Sequence, residues 1–247
     1  MSNLKVKGII IKQSDFGEAN RILTIFTSEY GIIKAAVYGA KSIKNKNSAS
    51  SQFLCYADFI LKETGRDIMT FVSCDIIDSF FNIQEDITKL SLCVYFSDLI
   101  YSLINQNAPD EAILRLFLNT VYALCYKDYD TEMIRAVFEL RIMAYAGYRP
   151  NLNYCSVCSK SEGITAFCAQ SGGILCNNCA KRGDIPIDSG VYHAIKYILS
   201  CDEKKMFSFE ASKDVLKTVS KISESYVTTY IEKSLSSLEY YKKMIMI

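Results

Sequence analysis

Four cysteines in two closely spaced pairs place the strongest constraint on how this chain can fold. Cys155, Cys158, Cys176 and Cys179 follow the spacing C-x2-C-x17-C-x2-C, which is typical of a four-thiolate zinc site. Each C-x-x-C turn presents two sulfurs about 3.5–4 Å apart, the edge of a tetrahedron with Zn–S distances of about 2.3 Å. Four protein ligands leave no position for a reactive water. The spacing therefore predicts one structural Zn²⁺ ion.

The residues between the two pairs favour a hairpin that brings the sulfurs together. The turn residues are Ser171–Gly173, and Phe167 and Ile174 flank them. Cys168 lies inside this hairpin, and we expect it to be a bystander rather than a ligand. The alternative interpretation is a set of buried or reactive thiols without a metal ion.

Composition favours a folded protein of a reducing compartment. Half of the 247 residues are hydrophobic, and 17 Tyr and 13 Phe are among them, so the chain can bury a substantial core. No apolar run reaches the roughly 18 residues of a membrane span, and the first residues lack a signal peptide's apolar core and cleavage site. We therefore expect a cytoplasmic protein without a membrane partner, in which clustered cysteines bind metal more often than they form disulfides.

The charge is distributed unevenly along the chain. Residues 1–50 carry eight Lys/Arg against three Asp/Glu, a net charge of +5, whereas residues 51–140 carry six against fourteen, a net charge of −8. Residues 141–247 carry fourteen against ten, a net charge of +4. This asymmetry predicts two surfaces with different partners, because nucleic acid is repelled by the acidic segment.

The N-terminal third reads as short strands separated by turns. Five β-rich runs with Gly-containing turns favour a small OB-type barrel: "LKVKGIII", "RILTIFT", "IIKAAVYG", "ADFILKE" and "IMTFVSCDII".

After residue 84 the hydrophobic period becomes that of helices. Pro109 and Asp110 open one helix, and Thr131 is the expected N-cap of another that ends at Gly147. Beyond the cysteines, Asp188 and Ser212 are expected N-caps of two further helices. The fold class is therefore α+β multidomain. We assign an OB-fold domain to residues 1–80, a zinc finger to 151–183, and the two parts of a helical domain to 81–150 and 184–247.

Patterns for catalysis are missing from the sequence. A serine–histidine triad would have to use His193, the only histidine, and no G-x-S-x-G is present. Neither a P-loop nor a G-x-G-x-x-G occurs, and the H-x-E of a zinc deaminase is missing. We expect His193 to have a packing or surface role, and we do not expect an enzyme.

The remaining signal is for binding to single-stranded nucleic acid. The loop "GAKSIKNKNSAS" places several lysines between strands of the expected barrel, and barrels of this type bind single strands through a basic groove with stacking aromatic residues. Tyr38 or Phe53 could supply the stacking surface. The alternative is a loop that is merely solvated. The candidate DNA-binding residues are Arg21, Lys34, Lys41, Lys44 and Lys46.

Three segments resemble the RecO family of bacterial recombination mediators. "GEANRILTIFT", followed by "YG" and "GAK", is similar to the RecO N-terminal signature, and "GRDIMTFVSCDIIDSF" and the helices after it have the order and length found in RecO. "LRIMAYAGYRPNLNYCSVC" resembles the point where many RecO proteins enter their zinc finger. The loop after "GAK" departs from the family in being Ser/Asn-rich.

The resemblance covers nearly the whole chain and implies more than the residues alone. It implies an N-terminal OB fold, a helical domain and a zinc module, with no catalytic turnover. It also implies a nucleoid-associated protein that binds and anneals single-stranded DNA. The implied protein partners are RecR, the single-stranded DNA-binding protein and, indirectly, RecA.

The leading hypothesis is therefore a mediator of DNA repair and homologous recombination. One alternative is a zinc-stabilised adaptor or transcription-associated factor that works through protein contacts without annealing DNA. A redox enzyme that uses C-x-x-C is a third class, disfavoured because the two pairs match a single metal site.

Overall fold

The computed structural model describes residues 3–41, 49–65, 67–104, 108–231 and 235–246. The chain divides into two compact units, one formed by Met1–Arg115 with Leu235–Ile247 and the other by Leu116–Ser234. The strands are β1 (Asn3–Phe16), β2 (Asn20–Thr27), β3 (Gly31–Val37), β4 (Tyr56–Lys62), β5 (Ile68–Asp78), β6 (Ile164–Cys168), β7 (Gly173–Cys176) and β8 (Ile185–Pro186). The helices are α1 (Phe81–Gln84), α2 (Ile87–Leu103), α3 (Glu111–Tyr126), α4 (Thr131–Tyr145), α5 (Ser189–Ser200), α6 (Lys213–Tyr230) and α7 (Ser236–Met244).

The first five strands close into a barrel, and all five expected β-rich runs are strands. The order around the barrel is β1-β2-β3-β5-β4, and the long strand β1 pairs with both β2 and β4. Among the described strand pairings of the barrel, only that of β3 with β5 is parallel. Alternate side chains of Leu23, Ile25, Ala35 and Val37 point into the core, as the period of two requires. This topology confirms the OB fold.

Helices complete the unit that contains the barrel. Helix α2 packs against α7 and against β1. The Asp86 carboxylate accepts hydrogen bonds from the backbone N–H groups of Thr88 and Lys89, and so caps α2. Within the described residues, no helix combines the length and apolar character needed to cross a membrane. Helix α7 is not among the helices that the sequence predicted.

Helix α4 is the centre of the second unit, packed against α5 and α6. Every residue from Met133 to Met143 is buried. The expected N-cap, Thr131, is wrong by one position: Asp130 caps the helix by accepting from Met133 N–H at 2.9 Å. Both residues are N-cap types, and the backbone places the Asp130 side chain over the first turn.

The other predicted helix ends agree with the structure. Asp188 accepts from Val191 N–H at 2.8 Å and caps α5, and Ser212 accepts from Val215 N–H at 3.3 Å and caps α6. Gly147 follows α4 with φ of 92°, a left-handed conformation that closes a helix C-terminus. His193 is exposed on α5, with Nδ1 2.6 Å from the Ser189 carbonyl oxygen, consistent with a surface role.

A buried ionic network joins α4 to α6. Arg135 donates from Nη1 to both carboxylate oxygens of Glu139, at 2.9 and 3.0 Å, and from Nη2 to Glu132 at 2.8 Å. From α6, Ser220 donates to Glu132 and Ser223 donates to Glu139. Burial alone would lower the pKa of Arg135, but the Glu139 and Glu132 carboxylates raise that pKa above its ordinary value.

Replacing Arg135 with Met should lower the free energy of unfolding by about 3–5 kcal/mol, because it leaves a buried carboxylate without its cation. The double variant Arg135→Met/Glu139→Leu should recover most of that loss. The control is Arg115→Met, which breaks an exposed pair at 3.7 Å and should cost about 0.5 kcal/mol or less. Urea denaturation, monitored by far-UV circular dichroism, measures the free energy of unfolding of all three variants. Equal losses for Arg135→Met and Arg115→Met would show that the network does not stabilise the fold.

Candidate metal centre and nucleic-acid interface

A small sheet, ordered β7-β6-β8, supports the cysteine pairs. The predicted hairpin is present, with Phe167 paired to Ile174 across β6 and β7. A side chain at Gly173 would lie only 2.2 Å from the Asn151 carbonyl oxygen, so this position requires glycine. The close approach lets Asn151 pair with the hairpin. This pairing places the first cysteine pair next to the second.

Each C-x-x-C segment forms a tight turn held by backbone hydrogen bonds. Ser159 N–H donates to the Cys155 carbonyl oxygen at 2.9 Å, and Cys155 N–H donates to the Lys160 carbonyl oxygen at 2.7 Å. In the second turn, Cys179 and Ala180 both donate to the Cys176 carbonyl oxygen, at 3.0 and 2.9 Å. These bonds turn both side chains of each pair toward the same point.

The structure brings the four cysteines together. The Sγ atoms of Cys155, Cys158, Cys176 and Cys179 all lie within 4.8 Å of one another, and those of Cys158 and Cys176 are 3.6 Å apart. The 3.6 Å separation fits the edge of a tetrahedral thiolate site, about 3.5–4 Å. Cys168 contributes to the adjoining apolar cluster and is not in the four-sulfur group found among the described residues.

The sulfurs differ in how readily they lose a proton. Burial opposes charge on Cys155, but backbone N–H groups of Cys176, Cys158 and Val157 bond to its sulfur and lower its pKa to about 6. The pKa of Cys179 is raised to about 12 because its side chain bonds to Cys158 and then to Cys176. Negative charges packed this closely repel one another, and a cation would relieve that repulsion. The four cysteines could therefore hold a metal ion.

A cavity of about 680 Å³ adjoins the second cysteine turn. Its lining includes Cys179, Lys181 and Arg182 from the turn and Ser225 and Thr229 from α6. Lys181 and Arg182 bring two cations to this turn, and Asp184 lies beside them in the same lining.

Two candidate DNA-binding residues meet at one carboxylate in the barrel. Arg21 Nε donates to Asp15 Oδ1 at 3.2 Å, and Lys41 Nζ lies 3.1 Å from Asp15 Oδ2. The Arg21 side chain is 18% exposed and that of Lys41 is 38% exposed. Hydrogen bonds from Lys41, and then from Arg21, lower the pKa of Asp15. The carboxylate thus fixes two cations on one edge of the barrel.

The other candidates do not join that pair. Lys34 lies on β3, opposite Thr24 of β2 and Ile68 of β5. Its neighbour Ala35 points into the core, so Lys34 faces outward. Lys44 and Lys46 lie outside the described residues, and their placement in the loop remains a sequence-based prediction.

A groove lies on the outside of the barrel, on the face that Lys34 shares with Ala36 and Ile68. Its volume is about 480 Å³, and its lining comes from the ends of β1 to β3 and from β5 with the turn before it: Phe16, Ile22, Ala36, Tyr38, Thr64, Asp67, Ile68, Met69 and Thr70. Tyr38 is 60% exposed and packs edge-on to Phe16, with ring centroids 6.1 Å apart. Phe53, the other expected stacking residue, is half-buried and is not part of this lining.

Sequence patterns did not indicate two residues of this region. Asp15 sits in a basic segment, and its role as a common acceptor depends on β1–β2 pairing, which places it opposite Arg21. Phe16 is the last residue of β1 and opposes Asn20. Only the strand register could have revealed either position.

The fold and the sulfur cluster define a class: an OB-fold protein with a helical body and a four-cysteine module suited to a metal ion. Two family models match the chain, "Recombination protein O N terminal" over residues 1–80 and "Recombination protein O C terminal" over residues 84–239.

Individual relatives agree with these models. The chain is 36% identical over 247 residues to the DNA repair protein RecO of Acetivibrio thermocellus, covering 99% of this chain and 98% of the relative. It is 31% identical over 243 residues to the DNA repair protein RecO of Caldicellulosiruptor saccharolyticus, covering 98% of this chain and 99% of the relative. The chain therefore belongs to the RecO family, and its role lies in DNA repair.

Replacing Cys155 with Ser should remove bound metal and destabilise the module, because a closed thiolate site contributes folding energy only when it is loaded. Protein purified under reducing conditions without chelators should contain about one metal ion per chain. Cys168→Ser is the matched control and should keep that content, since Cys168 is outside the four-sulfur group. Elemental analysis and thermal unfolding compare the variants. Metal-free parent protein, or equal metal loss in both variants, would contradict the site.

Proposed function

We propose that this protein is a recombination mediator that binds and anneals single-stranded DNA. With RecR, it helps to load RecA onto DNA coated by the single-stranded DNA-binding protein, in the cytoplasm and in association with the nucleoid. It acts without catalytic turnover, through charge and base stacking.

The observation that carries this proposal is the groove on the barrel. Tyr38 offers an exposed ring, and Lys34 lies on the groove's face of β3, opposite Ile68 of the lining. Arg21 and Lys41 are held on Asp15 at the adjoining end of β1 and β2. Aromatic rings stack on bases, and cations neutralise phosphates. A single strand in the groove would thus meet the Tyr38 ring and the Lys34 cation, with Arg21 and Lys41 as the cations at the adjoining edge.

The same cations supply a physical route to annealing. Two complementary strands repel each other through their phosphates, and a basic surface lowers that repulsion while bases remain free to pair. A phosphate would compete with Asp15 for Arg21 and Lys41. Replacing the Asp15 carboxylate by a phosphate costs less desolvation than removing water from fully hydrated cations.

Zinc is the metal ion that we assign to the cysteine module. Four thiolates in a tetrahedral arrangement select zinc or an iron–sulfur centre, and the C-x2-C-x17-C-x2-C spacing favours zinc. The residues that would hold it are Cys155, Cys158, Cys176 and Cys179. A zinc ion there would neutralise thiolate charge and fix both turns, with no open position for chemistry.

Exposed apolar side chains favour a protein partner as well. Val72, Ile76 and Ile77 of β5 and Phe81 of α1 are each at least 45% exposed, and clustered exposure of this kind marks protein interaction sites. This observation also suits the alternative function, an adaptor that does not anneal DNA.

Titration with an unstructured oligonucleotide separates the two functions. A mediator should bind it with an affinity that falls steeply as salt rises, and should speed the annealing of complementary strands with or without RecR. An adaptor should do neither. Binding of RecR without any binding of DNA would reject the proposal in favour of the adaptor.

Changing Lys41 to Ala should flatten the slope of log affinity against log salt by up to about 0.7, the contribution of one phosphate contact on a single strand. The triple variant Lys41→Ala/Lys44→Ala/Lys46→Ala should flatten it by up to roughly two units if all three lysines contact phosphates. Fluorescence anisotropy at several salt concentrations measures the slope. Lys127→Ala, exposed just after α3, is the charge-matched control and should leave it unchanged. An unchanged slope in the folded triple variant would place DNA elsewhere, such as near Lys181 and Arg182.

Changing Tyr38 to Ala should weaken single-strand binding by about 1–3 kcal/mol, the loss of one base–aromatic stack. Because no charge is removed, the salt slope should stay the same. Tyr30→Ala, an exposed tyrosine in the turn between β2 and β3, should bind like the parent protein. Affinity at fixed salt is the measurement, and equal affinity for Tyr38→Ala and the parent would remove Tyr38 from the DNA-binding surface.

A further inference from the structure

The last strand of the barrel, β5, extends beyond one of the two strands that pair with it. Strand β4 pairs with β5 from Thr70 to Asp78, whereas β3 pairs with it only from Ile68 to Thr70. Among the described strands, the residues from Phe71 to Ile77 therefore have a strand neighbour on one side only. The backbone N–H and C=O groups on the other side form an open sheet edge, which another extended chain can join by hydrogen bonds.

Two β-bulges turn apolar side chains of β5 outward. The pairing with β4 skips one residue of β5 at two places, and the skipped residues are Val72 and Ile77. Val72 is 45% exposed and Ile77 is 49% exposed. The neighbouring Asp75 and Ile76 are exposed too, so the alternation of buried and exposed side chains ends here. Bulges of this kind re-aim side chains at sheet edges and beside functional sites.

The turn after β5 adds an aromatic ring to the same segment. Phe80 is buried and has a φ of 46°, a left-handed conformation that is uncommon for a bulky residue. The Asp78 carboxylate accepts a hydrogen bond from Phe80 N–H at 2.9 Å and helps to hold this turn. The next residue, Phe81, begins α1 and is 59% exposed. We define the β5 edge surface as Val72, Ile76, Ile77 and Phe81.

The charges on the outer face of the barrel indicate what kind of chain would fit. In the cross-strand register, Lys7 of β1 lies opposite Asp58 of β4, and Asp58 lies opposite Asp75 of β5. Like charges that face each other across a sheet are destabilising, whereas opposite charges are stabilising. Lys7 can offset one of the two carboxylates, and the described residues provide no ion pair for Asp75. A Lys or Arg on a strand added to β5 would continue the row as cation, carboxylate, carboxylate, cation.

The wider segment has the same sign of charge. Residues 68–88 contain four acidic residues and no Lys or Arg. Nucleic acid would be repelled by this charge. A second copy of the chain is also disfavoured, because joining two copies through this edge would bring the acidic segments of both together. A basic protein segment is the occupant that satisfies the backbone, the apolar side chains and the charge at once.

We propose that the edge of β5 from Phe71 to Ile77 receives an extended, basic segment of a protein partner as an additional strand. The partner places a Lys or Arg beside Asp75 and apolar side chains against the β5 edge surface. Residues 71–77 span about 23 Å at about 3.3 Å per residue, so a partner segment of about seven residues would cover the edge. The inference rests on the proposed function for the existence of a protein partner, and on the β5 edge for the chemistry of that partner.

Fluorescence anisotropy of full-length, metal-loaded protein with labelled eight-residue peptides tests the proposal. A peptide of alternating valine and lysine should bind, and its affinity should fall as salt rises. The same peptide with every backbone nitrogen methylated keeps its side chains and charge but cannot donate backbone hydrogen bonds, so it should not bind. No binding of the unmethylated peptide at about 1 mM, or equal binding of the methylated peptide, would overturn the proposal.

Variants locate the binding site of the unmethylated peptide. Ile77→Ser should weaken binding about tenfold, because the apolar surface of one Ile is no longer covered. Its matched control, Ile245→Ser, changes an isoleucine that is 40% exposed after α7 and should bind like the parent protein. Asp75→Asn should weaken binding about twofold to fivefold, the effect of one exposed ion pair, whereas Asp128→Asn should have no effect. Equal affinities within both variant–control pairs would contradict the assigned surface.

Two further measurements separate this proposal from its alternatives. The affinity of Ile77→Ser for a single-stranded oligonucleotide should equal that of the parent, since Ile77 is not in the lining of the groove. A parent protein that binds the peptide but no DNA would reject the proposed annealing function and support this surface. Analytical ultracentrifugation should show no dimer that depends on Ile77. A dimer of the parent that Ile77→Ser abolishes would reject the basic partner in favour of a second copy.

Discussion

The buried pairing of Arg135 with Glu139 is the interaction on which the second unit depends. Helix α4 is covered along its whole central length, so these charges cannot reach water and must find partners inside the protein. Helix α6 provides them through Ser220 and Ser223, which fixes its register against α4. The cysteine module is inserted between α4 and α5, and both of these helices pack in the same body. The module is therefore anchored at one end by α4, which carries the ionic network, and at the other by α5, which packs against both α4 and α6.

The two units handle charge in opposite ways. The cysteine module collects negative sulfurs that a cation would neutralise, whereas the barrel collects positive side chains around one carboxylate, Asp15. Asp15 holds Arg21 and Lys41 in place without cancelling both charges. A carboxylate in this position resembles a phosphate in charge and in hydrogen bonding, so the cations are already arranged to receive an anion. The candidate DNA-binding surface is in this sense organised before a strand arrives.

Local features were predictable from the sequence, and contacts between distant elements were not. The sulfur cluster follows from two C-x-x-C turns and a hairpin, all within 25 residues (155–179), and the strands follow from the alternation of apolar residues. Helix α7 was missed because its burial depends on packing against α2, far away in sequence. Whether Asp130 or Thr131 caps α4 depends on the backbone dihedral angles of these residues. The sequence pattern does not specify those angles. The position of Asp15 opposite Arg21 depends on strand register.

Four of the ten cysteines form a four-sulfur group among the described residues, and their chemistry follows from that grouping. Four sulfurs within 4.8 Å can complete a tetrahedral shell, and a thiolate bound in such a shell has its lone pair committed to the metal. Metal binding would thus protect the module from oxidation while it fixes both turns.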